Sequence, residues 1–268
     1  MSGLSNYKDW IKNIDVDIDY FAAFLKAYIA FNSWYKEQYP EKTDRAAIDT
    51  LKESDNVFRR YVVNLISMSS SDENLTYHDN FGKLHNALCN GVITTQEFGG
   101  VRKQISFSDI AIKNTSPRES HEHRRVKYTV KREQGLYKTE IKKLTGVILL
   151  SENQEKHDFD ELASRTSFQA LTIERRAQAE QCYYRIRPYF SRSVLFSGEN
   201  RGQEDENVRK IGIYEFVNDD ILLSKAIIEI IYLLRCSLAH GDISPDKNAN
   251  NVYRYAYELL AITLKKMI

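Results

Sequence analysis

Cysteine, proline and glycine are all scarce in this chain of 268 residues, with three Cys, four Pro and eleven Gly. Cys89, Cys182 and Cys236 are scattered and form no C-x-x-C pair. That argues against a zinc ribbon and a disulfide scaffold, and fits a reducing compartment. So few Pro and Gly favour helices over turn-rich β architecture. Charge of one sign is lacking too: Lys+Arg 38 stand against Asp+Glu 37. A nucleic-acid partner must then be held by a local patch and not by global charge. No apolar run approaches the ~20 residues that span a bilayer. The longest, Ala226 to Leu234, is broken by Glu229 and runs into Arg235. The start, MSGLSNYKDW, has no basic-then-apolar signal pattern. No G-x-S-x-G, H-E-x-x-H or P-loop is present. These absences read as a soluble cytoplasmic protein without a membrane segment. With 42% hydrophobic and 28% charged residues it can bury an ordinary core.

Helical periodicity dominates both ends of the chain. Ile18, Phe21, Ala22, Leu25, Tyr28, Ile29 and Asn32 follow the 3.6-residue period over about 17–38, and Phe24, Phe31, Trp34 and Tyr35 widen the apolar face to two sides. Pro40 ends this helix. Further helices are expected at about 43–53, 56–68 and 73–90, the last stopped by Gly91. From Val92 to Leu150 the helical period fades. RRVKYTVKRE and LYKTEIKKL alternate around Gln134-Gly135, which predicts a β-hairpin, and GVILL at 146–150 predicts a third strand. Ser116-Pro117 and SHEHRR read as an exposed loop. Helix resumes over about 158–187, and 191–208 reads as a mobile loop. Two long helices, about 218–240 and 247–267, close the chain, with Asn218 or Asp219 capping the first and Pro245 opening the second. The whole reads as one helical domain, 1–268, with 92–150 a β-rich insertion.

IYLLRCSLAHGD, Ile231 to Asp242, carries the chemistry. Arg235 is costly on an apolar helix unless something uses it, and His240 follows at the helix end before Gly241. Four residues separate the two, a step of five positions that is roughly 7.5 Å along the axis and roughly 140° around it. Arg is a fork of donors suited to phosphate, and His passes protons near neutral pH. A cation and a base are what a ribose 2′-OH needs to attack its own phosphate, with no metal or enzyme nucleophile. Read from the residues alone, Arg235 also suits a structural arginine paired with a buried carboxylate, and His240 a simple helix stop.

LLRCSLAHGD resembles the R-x4-H signature of the HEPN superfamily, and AFLKAYIAFNSWY, Ala23 to Tyr35, resembles the early helix of its Apea-like prokaryotic branch, with a Phe-Asn-x-x-Tyr pattern. These segments cover about a tenth of the chain. The resemblance implies a mainly α fold, a HEPN-like antiparallel helical bundle, here with a small β-hairpin insertion, that forms a homodimer. It implies metal-independent endoribonuclease cleavage of single-stranded RNA, leaving a cyclic phosphate and a 5′-hydroxyl, with Arg235 on the scissile phosphate and His240 handling protons. A prokaryotic toxin or defence effector, with an antitoxin or defence-system partner, is the implied setting, and no cofactor or metal is called for. The family usually has a polar residue after the motif Arg, where this chain has Cys236, a weaker hydrogen-bond partner. Asn32, a polar residue on an apolar stripe, needs a partner and is read equally as a support for Arg235 or His240 and as locally bonded to another helix. Asp242 is read as pairing with either, or as capping the turn. The alternative functional reading is a non-catalytic HEPN-like RNA-, nucleotide- or protein-binding module. A third is a structural dimeric bundle.

Three further signals are set aside. HGDISPDKN resembles the catalytic loop of some small-molecule kinases, but Asn248 falls one residue late and no room remains for a metal site. His121-x-His123 lacks further ligands at metal spacing. KREQGLYKTEIKK is basic enough to track an RNA backbone, against the plainer reading of a solvated hairpin.

Overall fold

A computed structural model describes residues 19–67, 71–96, 102–196 and 208–268. The chain start, the first turn expected at Asp17 and most of the loop expected at 191–208 lie outside these residues. The described chain divides into two compact units, one of residues 1–111 with 191–268 and one of 112–190.

Among its described residues the first unit holds six long helices, α1 (Tyr20–Gln38), α2 (Asp44–Glu53), α3 (Val57–Ile66), α4 (Asp72–Asn90), α8 (Asp220–Ala239) and α9 (Lys247–Lys265). Each starts where a side chain accepts a hydrogen bond from the third backbone N–H beyond it: Asp19, Thr43, Asn56, Ser71, Asp219 and Asp246. Each such cap contributes about 1 kcal/mol. Pro245 therefore precedes the last helix and does not sit within its first turn. Aromatic rings fill the space between the helices. Phe21 and Phe24 of α1 pack on Tyr253 of α9 at 4.9 and 5.2 Å between ring centres, and Phe31 packs on Phe58 of α3 at 4.4 Å. α1 does not bury both sides as its sequence suggests, because Leu25 and Ile29 stay 41% and 59% exposed. Short strands border the helices: β1 (Thr94–Gln96) pairs with β2 (Arg102–Gln104), and β9 (Val208–Ile211) with β10 (Tyr214–Val217).

The chain enters the second unit through β3 (Ile110–Lys113) and leaves through β8 (Tyr189–Arg192), which pair with each other. Its centre is a four-stranded antiparallel sheet of β4 (Arg118–His123), β5 (Val126–Glu133), β6 (Leu136–Lys143) and β7 (Ile148–Gln154), in the order β4-β5-β6-β7. The β5–β6 hairpin turns at Gln134-Gly135, both at positive φ, as a two-residue turn of this hand requires. On one face Val126, Tyr128, Val130, Ile141 and Leu150 pack against α5 (Phe159–Ser164), α6 (Thr166–Gln169) and α7 (Ile173–Arg185).

These elements overturn the mainly α reading, an antiparallel helical bundle with a small β-hairpin insertion. Among the described residues ten strands form four antiparallel sheets, with 52% of those residues helical and 22% strand, a mixed α/β fold. Two segments account for much of the difference. Arg118–His123 is a strand and not a loop: its alternation of exposed and half-buried positions is carried by Glu119, His121 and His123, polar residues that hydropathy does not register. The helix expected over 158–187 is broken twice. Arg165 is gripped by Glu152 and Glu161 at 2.5 and 2.6 Å, which turns the chain there. Thr172 then caps a new helix start. No helix among the described residues is long and apolar enough to cross a membrane.

Candidate functional site

α8 owes its place to buried charge. Glu229, fully buried, accepts from Lys52 Nζ at 2.5 Å and Arg45 Nη1 at 2.6 Å, both on α2. Lys52 is itself fully buried, lies 3.4 Å from Asp49 and donates to the Ala111 carbonyl at 2.9 Å. Arg45 also pairs with Asp49 at 2.9 Å and lies 5.4 Å from the centre of the Tyr232 ring. Buried ions need this degree of pairing, and the geometry fixes the register of α2 on α8.

That register brings Asp44, the first residue of α2, to Arg235. Arg235 Nη2 lies 3.5 Å from Asp44 Oδ2, and its guanidinium carbon sits 5.7 Å from the centre of the Tyr28 ring. Asp44 is shared with Lys36 at 2.8 Å. The Arg235 side chain remains 31% exposed. Burial works against its charge, but Tyr28, the Cys236 thiol and Asp44 outweigh it and lift its pKa above the ordinary arginine value. Tyr28 and Tyr35 hydroxyls lie 3.4 Å apart, and burial chiefly raises the pKa of both, that of Tyr28 well above the usual phenol range. Burial, with half-buried Cys236 next in effect, raises the pKa of Tyr232, and the same thiol helps to raise that of Arg235.

The end of α8 is held from three sides. Tyr253 Oη donates to the Leu234 carbonyl at 2.8 Å, and Ser237 Oγ donates to the Thr94 carbonyl at 2.9 Å. Gly241, at φ +66°, closes a left-handed stop in which its N–H donates to Leu238 O at 3.2 Å and Asp242 N–H to Ser237 O at 3.0 Å. His240 is the residue this stop fixes in place, and it is exposed. The rings of His78, His85, His121, His123 and His157 all bond to a neighbour. Among the described residues the His240 ring bonds to none.

The structure thus gathers Arg235, Cys236 and His240 on one helix end and adds Tyr28, Tyr35 and Asp44. Asn32 is half-buried on the α1 face that carries Tyr28 and Tyr35, but its Oδ1, shielded from solvent, has no hydrogen-bond partner among the described residues. No bond joins it to Arg235 or His240. Asp242 contributes its backbone N–H to the helix stop.

Comparison with family models, with curated proteins and with solved structures gives no match. The site must be read from its own geometry.

Asp44, Arg45, Lys52 and Glu229 were not singled out from the sequence. Glu229 had a signal: a carboxylate interrupting the apolar run 226–234 has to be met by a cation. Lys52, on the stripe of Ile48, was the matching clue. Asp44 gave none, because its position beside Arg235 depends on how two helices dock. His121 and His123, one residue apart in β4, are engaged separately: His121 by Gln178 at 2.7 Å and the Cys182 thiol at 3.4 Å, His123 by Glu174 at 2.9 Å.

Proposed function

We propose that the chain is a metal-independent endoribonuclease of HEPN type acting on single-stranded RNA, a prokaryotic toxin or defence effector that works as a homodimer. One observation carries this reading: His240, its backbone fixed by the helix stop and its ring exposed and unbonded, sits at the end of the helix that presents a charged, partly exposed Arg235. A structural arginine would be expected on a buried carboxylate. The buried carboxylate of α8, Glu229, is taken by Arg45 and Lys52, and the one carboxylate paired with Arg235 among the described residues is that of half-exposed Asp44, at 3.5 Å, while its guanidinium lies over the Tyr28 ring. Its remaining N–H groups are free to take a phosphate.

In this mechanism Arg235 binds the scissile phosphate and stabilises the crowded oxyanion. One His240 takes the proton of the ribose 2′-OH, which attacks the phosphorus. The two-fold partner's copy of the same side chain gives a proton to the departing 5′-oxygen. The products are a cyclic phosphate and a 5′-hydroxyl.

The test is cleavage of a mixed single-stranded RNA in excess EDTA, with Arg235→Ala and His240→Ala as controls. Cutting by the wild type that both substitutions abolish, in folded protein, is the expected result. Cutting that survives His240→Ala, or none by the folded wild type, overturns it. The Cys236 and Asp44 contacts to Arg235 favour the second reading, a non-catalytic RNA-, nucleotide- or protein-binding module, which the last outcome would support.

A further inference from the structure

The second unit carries charge that its fold does not need. Residues 112–190 hold sixteen Lys and Arg against eleven Asp and Glu, a net +5 in a chain whose total is +1. Part of that excess is laid out in register on one face of the four-stranded sheet. Alternate residues of each strand point away from the core. On that outer face Arg118 stands opposite Lys131 and Lys131 opposite Lys138, so one row across three strands is entirely cationic. Two residues further along each strand pair, Thr129 faces Glu140, and beyond it Lys127 faces Lys142, a second cationic pair.

Like charges directly opposite one another destabilise a sheet. Three such pairs on one face are a cost with no return in packing, since α5, α6 and α7 all pack on the other face. The anions of the outer face are Glu122, Glu133 and Glu140. Glu122 stands opposite Lys127 in the register, and Glu133, alone among the three in an ion pair within the described residues, shares one carboxylate between Lys131 at 2.8 Å and Lys138 at 3.2 Å. Lys131 and Lys138 remain 41% and 30% exposed. Neighbouring strands lie about 4.8 Å apart, so the three-cation row spans about 10 Å of an extended surface. No aromatic side chain occupies the outer face of these strands, so base stacking has no platform there and charge alone does the recognising.

We infer that the outer face of the β4–β7 sheet docks the phosphate backbone of single-stranded RNA without sequence preference. It recruits substrate for the Arg235/His240 site, and to that extent the inference rests on the ribonuclease reading. A phosphate chain relieves the cation–cation repulsion and releases its own counterions on binding.

The test uses the full chain and a fluorescent 2′-O-methyl oligonucleotide of mixed sequence, which cannot be cut at its 2′ position, so binding is measured apart from cleavage. In a variant with Lys127, Lys131, Lys138 and Lys142 all replaced by Thr, the sheet should be no less stable, because repulsion is removed and Thr suits strands. Its RNA affinity should fall, and its salt dependence should flatten by about 0.7 per lost phosphate contact in the slope of log K against log salt. For four contacts the wild type then loses roughly 50-fold more affinity than the variant between 50 and 200 mM salt. The pair Lys127→Thr/Lys142→Thr, which leaves Glu133 and its partners intact, should show about half that change of slope. His240→Ala should bind like the wild type. Equal affinity and slope in wild type and both sheet variants overturns the inference, as does a wild-type preference for an acidic peptide or for duplex RNA over the single strand. Sheet-dependent binding without cleavage anywhere would sink the ribonuclease reading and leave the docking surface standing.

Discussion

Replacing Glu229 by Gln tests the claim that buried charge, and not only apolar packing, positions α8. The substitution keeps shape and volume. It removes the negative charge shared by Lys52 and Arg45 and turns an N–H2 donor toward one of two cations 2.5 and 2.6 Å away. Lys52 has no exposed surface through which to recover hydration. Its remaining partners are Asp49 at 3.4 Å and a backbone carbonyl. Breaking a fully buried pair by removing one partner costs about 3–5 kcal/mol. That is a large share of the roughly 5–15 kcal/mol that holds a domain folded. Urea unfolding of the variant, followed by tryptophan fluorescence, should show this loss as a lower midpoint at unchanged slope. Trp34, stacked on Phe31 at 6.2 Å, reports on the first unit. A companion variant, Lys52→Met with Glu229→Leu, removes both charges and leaves Arg45 on Asp49. It should be more stable than Glu229→Gln, because apolar replacements avoid the desolvation cost. A loss below about 1 kcal/mol for Glu229→Gln, or a companion no better than it, refutes the reasoning.

Three further outcomes follow from the geometry. Burial holds the pKa of His85, among Phe107, Tyr214 and Phe216, below its usual 6.5, and burial does the same to His157 against Tyr183. The unfolded chain then binds the proton first, so both units are fully stabilised above about pH 6.5 and lose stability as pH falls below it. The thermal midpoint should drop between about pH 7.5 and 5.5, and His85→Phe with His157→Phe should flatten that slope; an unflattened slope counts against it. Gly241→Ala forces a side chain into φ +66° and should cost about 1–2 kcal/mol in thermal unfolding, whereas Gly91, at φ −104°, is free of that penalty. Cys182, fully buried with its thiol pKa pushed up to about 11, should react with a maleimide far more slowly than exposed Cys89 in native protein, as peptide mapping would show, and equal rates would contradict its burial.

The six long helices were legible because their apolar residues recur at helical spacing and their caps are Ser, Thr, Asp or Asn. The β5–β6 hairpin was legible from Gln134-Gly135 between two alternating runs. What sequence pattern missed was polar or short. β4 shows its inner face through Glu119 and His121. β9 and β10 are four residues each, turned by Gly212 at φ +63°. Arg235 and His240 stood out because a charge and a titratable ring on an apolar helix call for an explanation. Their surroundings did not, since Asp44 and Arg45 meet α8 only after α2 docks on it, and no spacing along the chain records that.

The pairing of β3 with β8 has a consequence for how the chain folds. Asn114 N–H donates to Pro188 O at 2.8 Å, and its side-chain amide to Arg185 O at 2.9 Å, so the second unit begins and ends at one point. Its sheet is built from neighbouring hairpins, the contacts that form fastest. The first unit must bring α8 and α9 back to α1–α4 across 129 residues, of which the second unit is 79. If the second unit is already closed, the loop shrinks to about 50 residues, which lowers the entropy cost of closure by about 1 kcal/mol. The inserted unit is then a folding clamp for the helices that carry Arg235 and His240, and a chain whose β5–β6 turn is disrupted should assemble its helical unit more slowly even though no helical contact has been altered.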